Sequence, residues 1–184
     1  MVSAIDTASD MVVNSVSVGV GADFMLYDST RNRLYVANPV NNTVTYLGAS
    51  TDALPAVVLN VANPVSVAAL PDGSRAYISS ALVSGGNVTS RVTVINAADG
   101  SVRTTIPLTT VNAVPGCGLT PSELSMAASA DSTRVYVGNC DAGNVADIQT
   151  LNDTLLLQMP APQSATFKDG VPLPQNPVFV VAGP

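Results

Sequence analysis

Two short motifs recur along this chain in a fixed order. A sequence that repeats itself every few tens of residues can fold only as an array of like units, each burying a face against the next. The first motif is an aspartate-centred turn followed by Arg-x-Tyr: Asp28-Ser-Thr-Arg-Asn-Arg33-Leu-Tyr35-Val-Ala-Asn38, Pro71-Asp72-Gly73-Ser-Arg75-Ala-Tyr77-Ile-Ser, and Ala130-Asp131-Ser-Thr-Arg134-Val-Tyr136-Val-Gly-Asn139. The second reads Val-x-x-Ile/Leu, a polar turn and another apolar run, beginning at Val2, Val44, Val92 and Val145. In three copies an aspartate follows the first valine by eight residues, at Asp10, Asp52 and Asp153; the remaining copy turns on Asp99-Gly100. The motif tyrosines are 42 and then 59 residues apart, and insertions at 79–86 and 108–121 account for the longer interval.

Each motif is a hairpin: apolar and polar residues alternate, and the breaks carry Asn, Asp, Gly and Pro. Glutamate occurs once, at Glu123, while Val, Thr, Ser and Asn dominate, a composition that suits strands and turns. Two hairpins per repeat make four strands, the size of a propeller blade. The expected fold is therefore all-β: a β-propeller of four-stranded antiparallel blades, with about four blades' worth of chain. The expected divisions are a half-blade at 1–21, blades at about 22–63, 64–113 and 114–162, and a closing half-blade at 163–184. Pro177-Val178-Phe179-Val180-Val181 matches the Leu34-Tyr35-Val36 strand with phenylalanine in the tyrosine slot, so this C-terminal strand is expected to complete the blade whose other half begins at Val2.

The Arg-x-Tyr-Val-x-Asn strands, the Pro-Asp-Gly-Ser-Arg turn and the Val-x-x-Ile hairpins resemble the YVTN family of β-propeller repeats over almost the whole chain. The resemblance implies a bacterial or archaeal secreted, periplasmic or cell-surface protein, and some relatives look like sugar lactonases. It speaks for the fold and hardly for chemistry, because the matching residues build strands and turns. Family members usually carry more blades than this chain supplies, so a small ring, two chains sharing one ring, or a longer chain are all open. Two chains would form a homodimer by strand exchange.

Charge narrows the partners. Seven basic and 13 acidic residues leave a net charge of −6, with no basic stripe for nucleic acid. No apolar run approaches the roughly 18 residues of a membrane-spanning helix, so no membrane insertion is expected. The chain has no histidine, which removes Ser-His-Asp and Cys-His pairs and histidine-ligated metals. Neither a phosphate-binding glycine loop nor a nucleophile elbow is present. Ser84-Gly85-Gly86-Asn87 reads as a flexible insertion.

Few residues remain for function. Cys117 and Cys140 are the two cysteines, and both fall in loops expected on one face of the blades. A disulfide between them would stabilise by about 3 kcal/mol in the loop-entropy model and would suit an oxidising compartment. Arg33, Arg75 and Arg134 repeat once per blade, so they are read as structural, each covering a neighbouring ring or pairing with a turn aspartate such as Asp28, Asp72 or Asp131. Glu123 is expected at the channel mouth by the family's geometry, on the face that also carries Asn38, Asn41, Asn139 and Asp141. Such oxygens would suit calcium, although ordinary turn chemistry explains the same residue types. The leading expectation is a non-enzymatic extracellular scaffold or recognition module with no cofactor, binding a glycan, a peptide or a surface protein through its loops. The alternative is a divalent-metal-dependent, lactonase-like hydrolase. In that case Glu123 and Asp141 would serve as ligand or base, with Asn38 and Asn139 as further ligands.

Overall fold

The structure, a computed structural model, describes residues 1–49, 57–112, 124–161, 163–168, 171–174, 177, 180 and 181. All of its regular elements are strands. They are β1 (Val2–Asp6), β2 (Met11–Val16), β3 (Phe24–Asp28), β4 (Arg33–Asn38), β5 (Thr43–Gly48), β6 (Val57–Asn60), β7 (Pro64–Ala69) and β8 (Arg75–Ser84). The remainder are β9 (Asn87–Asn96), β10 (Val102–Asn112), β11 (Leu124–Ala128), β12 (Arg134–Asn139), β13 (Asn144–Gln149), β14 (Thr154–Pro160), β15 (Gln163–Lys168) and β16 (Val171–Pro174). Three antiparallel four-stranded meanders, β3–β6, β7–β10 and β11–β14, form three complete blades. The hairpin β1–β2 forms a separate two-stranded sheet, as does β15–β16. Within each complete blade the first strand is innermost: β7 packs against both β3 and β11.

The repeat extends to single hydrogen bonds. The backbone N–H just past the third strand donates to the turn between the first two strands in every complete blade: Ala49 to Asn32, Ala97 to Ser74 and Thr150 to Thr133, at 2.8, 3.0 and 3.1 Å. The position eight residues after the motif valine is left-handed wherever it is described, with φ of 55° at Asp10, 77° at Gly100 and 55° at Asp153. Aspartate and glycine tolerate that conformation, which explains why the position carries only these two residues.

Strand alternation sends apolar side chains to both faces of each sheet, and the core is accordingly a series of interfaces between blades. Val2 and Val16 of the half-blade pack on Leu34, Val36 and Leu47 of the first blade. Tyr35, Val44 and Tyr46 of the first blade pack on Val67, Ile78 and Ile95 of the second. Tyr77, Val92, Val94 and Ile106 of the second pack on Leu124, Val137 and Ile148 of the third. Tyr35 and Tyr77 of the Arg-x-Tyr motifs therefore point forward, each toward the following blade.

Two expectations change. The insertion at 79–86 is not a flexible loop: β8 and β9 run on to Ser84 and Asn87, and the strand β10 follows them through Asn112. Gly85 and Gly86, with φ of 57° and 81°, make the tight turn whose twist matches a hairpin. The second blade thus carries a three-stranded extension beyond its neighbours. The motif arginines keep a structural role, Arg33 covering the Tyr46 ring and Arg75 pairing with the turn residue Asp153, but none pairs with Asp28, Asp72 or Asp131, whose carboxylates accept hydrogen bonds from their own turns. Of the expected closing strand at 177–181, residues 178 and 179 lie outside the described residues; Pro177 and Val180 lie against Gly138 of β12, where an added methyl would meet Val180 at 2.8 Å.

Candidate functional site

The turns between second and third strands, together with the links between blades, lie at one end of the blades, called here the upper rim. Asn38 and Asn139, each buried, end β4 and β12 there, and Ser80 occupies the equivalent position in β8. The amide of Asn38 donates to the carbonyl of Val36 at 3.3 Å and to Thr45 Oγ1 at 3.2 Å, leaving its buried Oδ1 without a hydrogen bond. Asn139 is committed on both sides: Nδ2 donates to Thr109 Oγ1 of the extension, and Oδ1 accepts from the N–H of Ala142, both at 3.2 Å. Asn41 is exposed beside Gly19. Asp141 is buried in the turn after β12.

The rim thus holds Asn38 and Asn41 on the first blade, and Asn139 and Asp141 on the third, with a whole blade between the pairs. Glu123 and Cys117 lie outside the described residues. Among the described residues, no three acidic or cysteine side chains gather as a metal site would require.

Sequence reasoning missed the polar groups of the extension. Ser80 and Arg91 stand opposite each other in the β8–β9 ladder, on the face turned toward the first blade. Among the described residues, the buried Ser80 Oγ and Arg91 Nε have no hydrogen-bond partner, nor does Ser90 Oγ on the opposite face. Buried polar groups left unpaired are costly, and these three sit where the extension leaves the blade. The one legible signal was the Gly85-Gly86 pair, a dipeptide that suits a tight hairpin turn. A concavity of about 260 Å³ opens between β1 and the first blade, lined by Met1, Val2, Ser3, Phe24, Met25 and Val36 among others.

The opposite, lower rim is built for cohesion. Arg33 lies over the Tyr46 ring at 4.2 Å and donates to the carbonyl of Ala97 on the second blade. Arg75 reaches one blade forward in the same way, to the carbonyl of Thr150 and to Asp153 Oδ1 at 2.5 Å. Tyr77 donates to the same oxygen at 2.5 Å, and Arg103 Nε meets Oδ2 at 3.1 Å. Burial, followed by this aspartate, pushes the Tyr77 phenol above its ordinary value. Asp153 is a clasp between blades; its partners saturate it and leave no room for a ligand.

Four-stranded sheets arranged around their first strands define a β-propeller, and solved structures agree. The chain matches the Hsv2 protein of Kluyveromyces marxianus with a TM-score of 0.55 at 14% identity, covering 84% of this chain and 46% of that one. It matches a provisionally assigned 6-phosphogluconolactonase of Bacteroides fragilis with a TM-score of 0.53 at 14% identity, covering 81% and 42%. A protein of unknown function from Desulfotomaculum acetoxidans gives 0.54 at 12% identity, covering 83% and 48%. The chain therefore spans less than half of each of these structures, and the likeness is one of fold. No family model and no curated protein matches the chain.

Proposed function

We propose that this protein is a non-enzymatic, extracellular recognition module of the YVTN type that binds a neutral polar ligand, a glycan foremost, at the upper rim of its second blade. The observation that carries this reading is the pair of buried polar groups, Ser80 and Arg91, that stand opposite each other at the base of the extension without partners among the described residues. The pair offers a hydroxyl and a guanidinium N–H, the chemistry that recognises a sugar's hydroxyls. The rigid scaffold below holds the strands that present them. The absence of histidine from the sequence supports binding over acid–base chemistry. A Cys117–Cys140 disulfide belongs to the same reading, since it would persist only in an oxidising compartment.

The second reading, a lactonase-like hydrolase with calcium held by Glu123, Asp141, Asn38 and Asn139, draws on the description of the Bacteroides structure. Binding of the labelled protein to a glycan array separates the two. Arg91→Ala should abolish the glycan signal while the far-ultraviolet circular dichroism stays that of the parent. Calcium-dependent hydrolysis of a sugar lactone by the wild-type chain, lost in Glu123→Gln and untouched by Arg91→Ala, would replace the first reading by the second.

A further inference from the structure

The interface between the second and third blades has a counterpart whose two halves are both present in the chain but do not meet. The hairpin β1–β2 repeats β13–β14 in register. Both ladders slip at the same place, between Ala4 and Ile5 and between Asp147 and Ile148. Below the slip Ile5 pairs with Val12 as Ile148 pairs with Leu155, and the turns close on Asp10 and Asp153 with the same φ of 55°. In β13–β14 this surface is occupied: Ile148 is buried on the second blade, and Asp153 is gripped by Arg75 and Tyr77. On β1–β2 it is bare. Ile5 is 61% exposed, Val12 is 60% exposed, and Asp10 is exposed to solvent.

The matching forward surface is on the third blade. Arg134 and Tyr136 occupy the positions of Arg75 and Tyr77, and Val145 that of Val92. Met159, opposite Val145, stands where the second blade has Ile106 opposite Val92. Ile106 is 5% exposed and Met159 is 41% exposed. Arg134 Nη1 is buried without a hydrogen bond, held 3.6 Å from Asp147. One end of the array therefore presents a cation and a phenol set to grip a turn aspartate. The other presents that aspartate with two apolar side chains beside it.

We propose that two copies of this chain associate head to tail into one closed ring. The forward face of each third blade takes the partner's β1–β2 hairpin, and Arg134 and Tyr136 clasp Asp10 of the partner subunit. Pro177 and Val180 lie on Gly138 of that same forward face. The cavity beside β1, lined by Val2, Ser3, Phe24 and Val36, lies at the seam of that shared blade. The contact joins unlike surfaces, so a closed assembly needs it twice, and two copies would bring six complete blades and two shared ones. This inference is independent of the proposed ligand.

Light scattering behind size exclusion tests it, with a mass of twice 18.7 kDa expected for the wild-type chain. Asp10→Gly puts at this turn the residue that the second blade carries there as Gly100, so the backbone is unstrained and the carboxylate is gone. It should raise the dimer dissociation constant by about tenfold or more, as should Arg134→Glu. Asp10→Lys and Arg134→Glu proteins should each be monomeric alone and pair when mixed, since the mixed dimer has one native contact and one charge-swapped contact. A monomeric or open-ended wild-type assembly would overturn the proposal, as would a dimer indifferent to both Asp10→Gly and Arg134→Glu, or a mixture that stays monomeric.

Discussion

At the scale of single residues, acids do different jobs according to where the turn places them. Asp28, Asp72 and Asp131 cap their own turns, and Asp131 accepts from Ser129 Oγ at 2.6 Å and from both the N–H and hydroxyl of Thr133. These bonds lower its carboxyl to about 2, and similar bonds lower Asp6 and Asp99. Asp153 instead joins two blades through two arginines and a tyrosine. An asparagine in its place would keep the left-handed turn but face the partly buried Arg75 without a charge. Asp153→Asn should therefore cost about 3 kcal/mol in urea unfolding, and a loss below about 0.5 kcal/mol would show that the clasp is only geometric. The pH profile follows from the same groups. Carboxyls depressed in the folded state stabilise it above their ordinary value of 3.8, and that contribution should fade as pH falls toward 2. Tyr77, raised by burial and then by Asp153, stabilises the fold only while it stays protonated. Stability should therefore decline above about pH 10, where the unfolded chain ionises first. Thermal melts across pH check both limbs, and Tyr77→Phe should flatten the alkaline one.

At the scale of elements, the extension of the second blade is the feature that departs from the repeat. Its strands of ten, ten and eleven residues compare with six, six and seven for the corresponding strands of the third blade. The tight turn at its tip depends on Gly85 and Gly86, both left-handed and both with open space where a side chain would stand. Gly86→Ala therefore meets no clash, only the backbone penalty of about 1 kcal/mol. Hydrogen exchange should speed up at Thr89 and Val88 while the third blade keeps its protection. Equal loss of protection in β12 would mean that the extension and the blades unfold as one unit. The lengthening was readable as extra residues between Tyr77 and Val92. That they prolong the ladder was not, because alternation in Ala81–Val83 is weak and neighbouring strands decide whether such a run is paired.

At the scale of the whole molecule, the core is a sequence of blade-to-blade interfaces, and its two terminal surfaces are the least satisfied parts of the chain. Repeats, turn residues and strand alternation were local properties, and local chemistry determined them: the all-β class, the four-strand unit and the left-handed aspartates follow from the amino-acid order alone. The partners of the motif arginines were not legible there. Arg33 and Arg75 each reach the following blade, more than sixty positions along the chain, and only the stacking of sheets brings those groups together. The same holds for the rim, where Asn38 and Asn139 share a motif position yet sit on blades separated by a third. Sequence spacing sets what each residue is within its own blade; the angle between blades sets what it touches, because packing between sheets, unlike a turn or a ladder, has no fixed register in the chain.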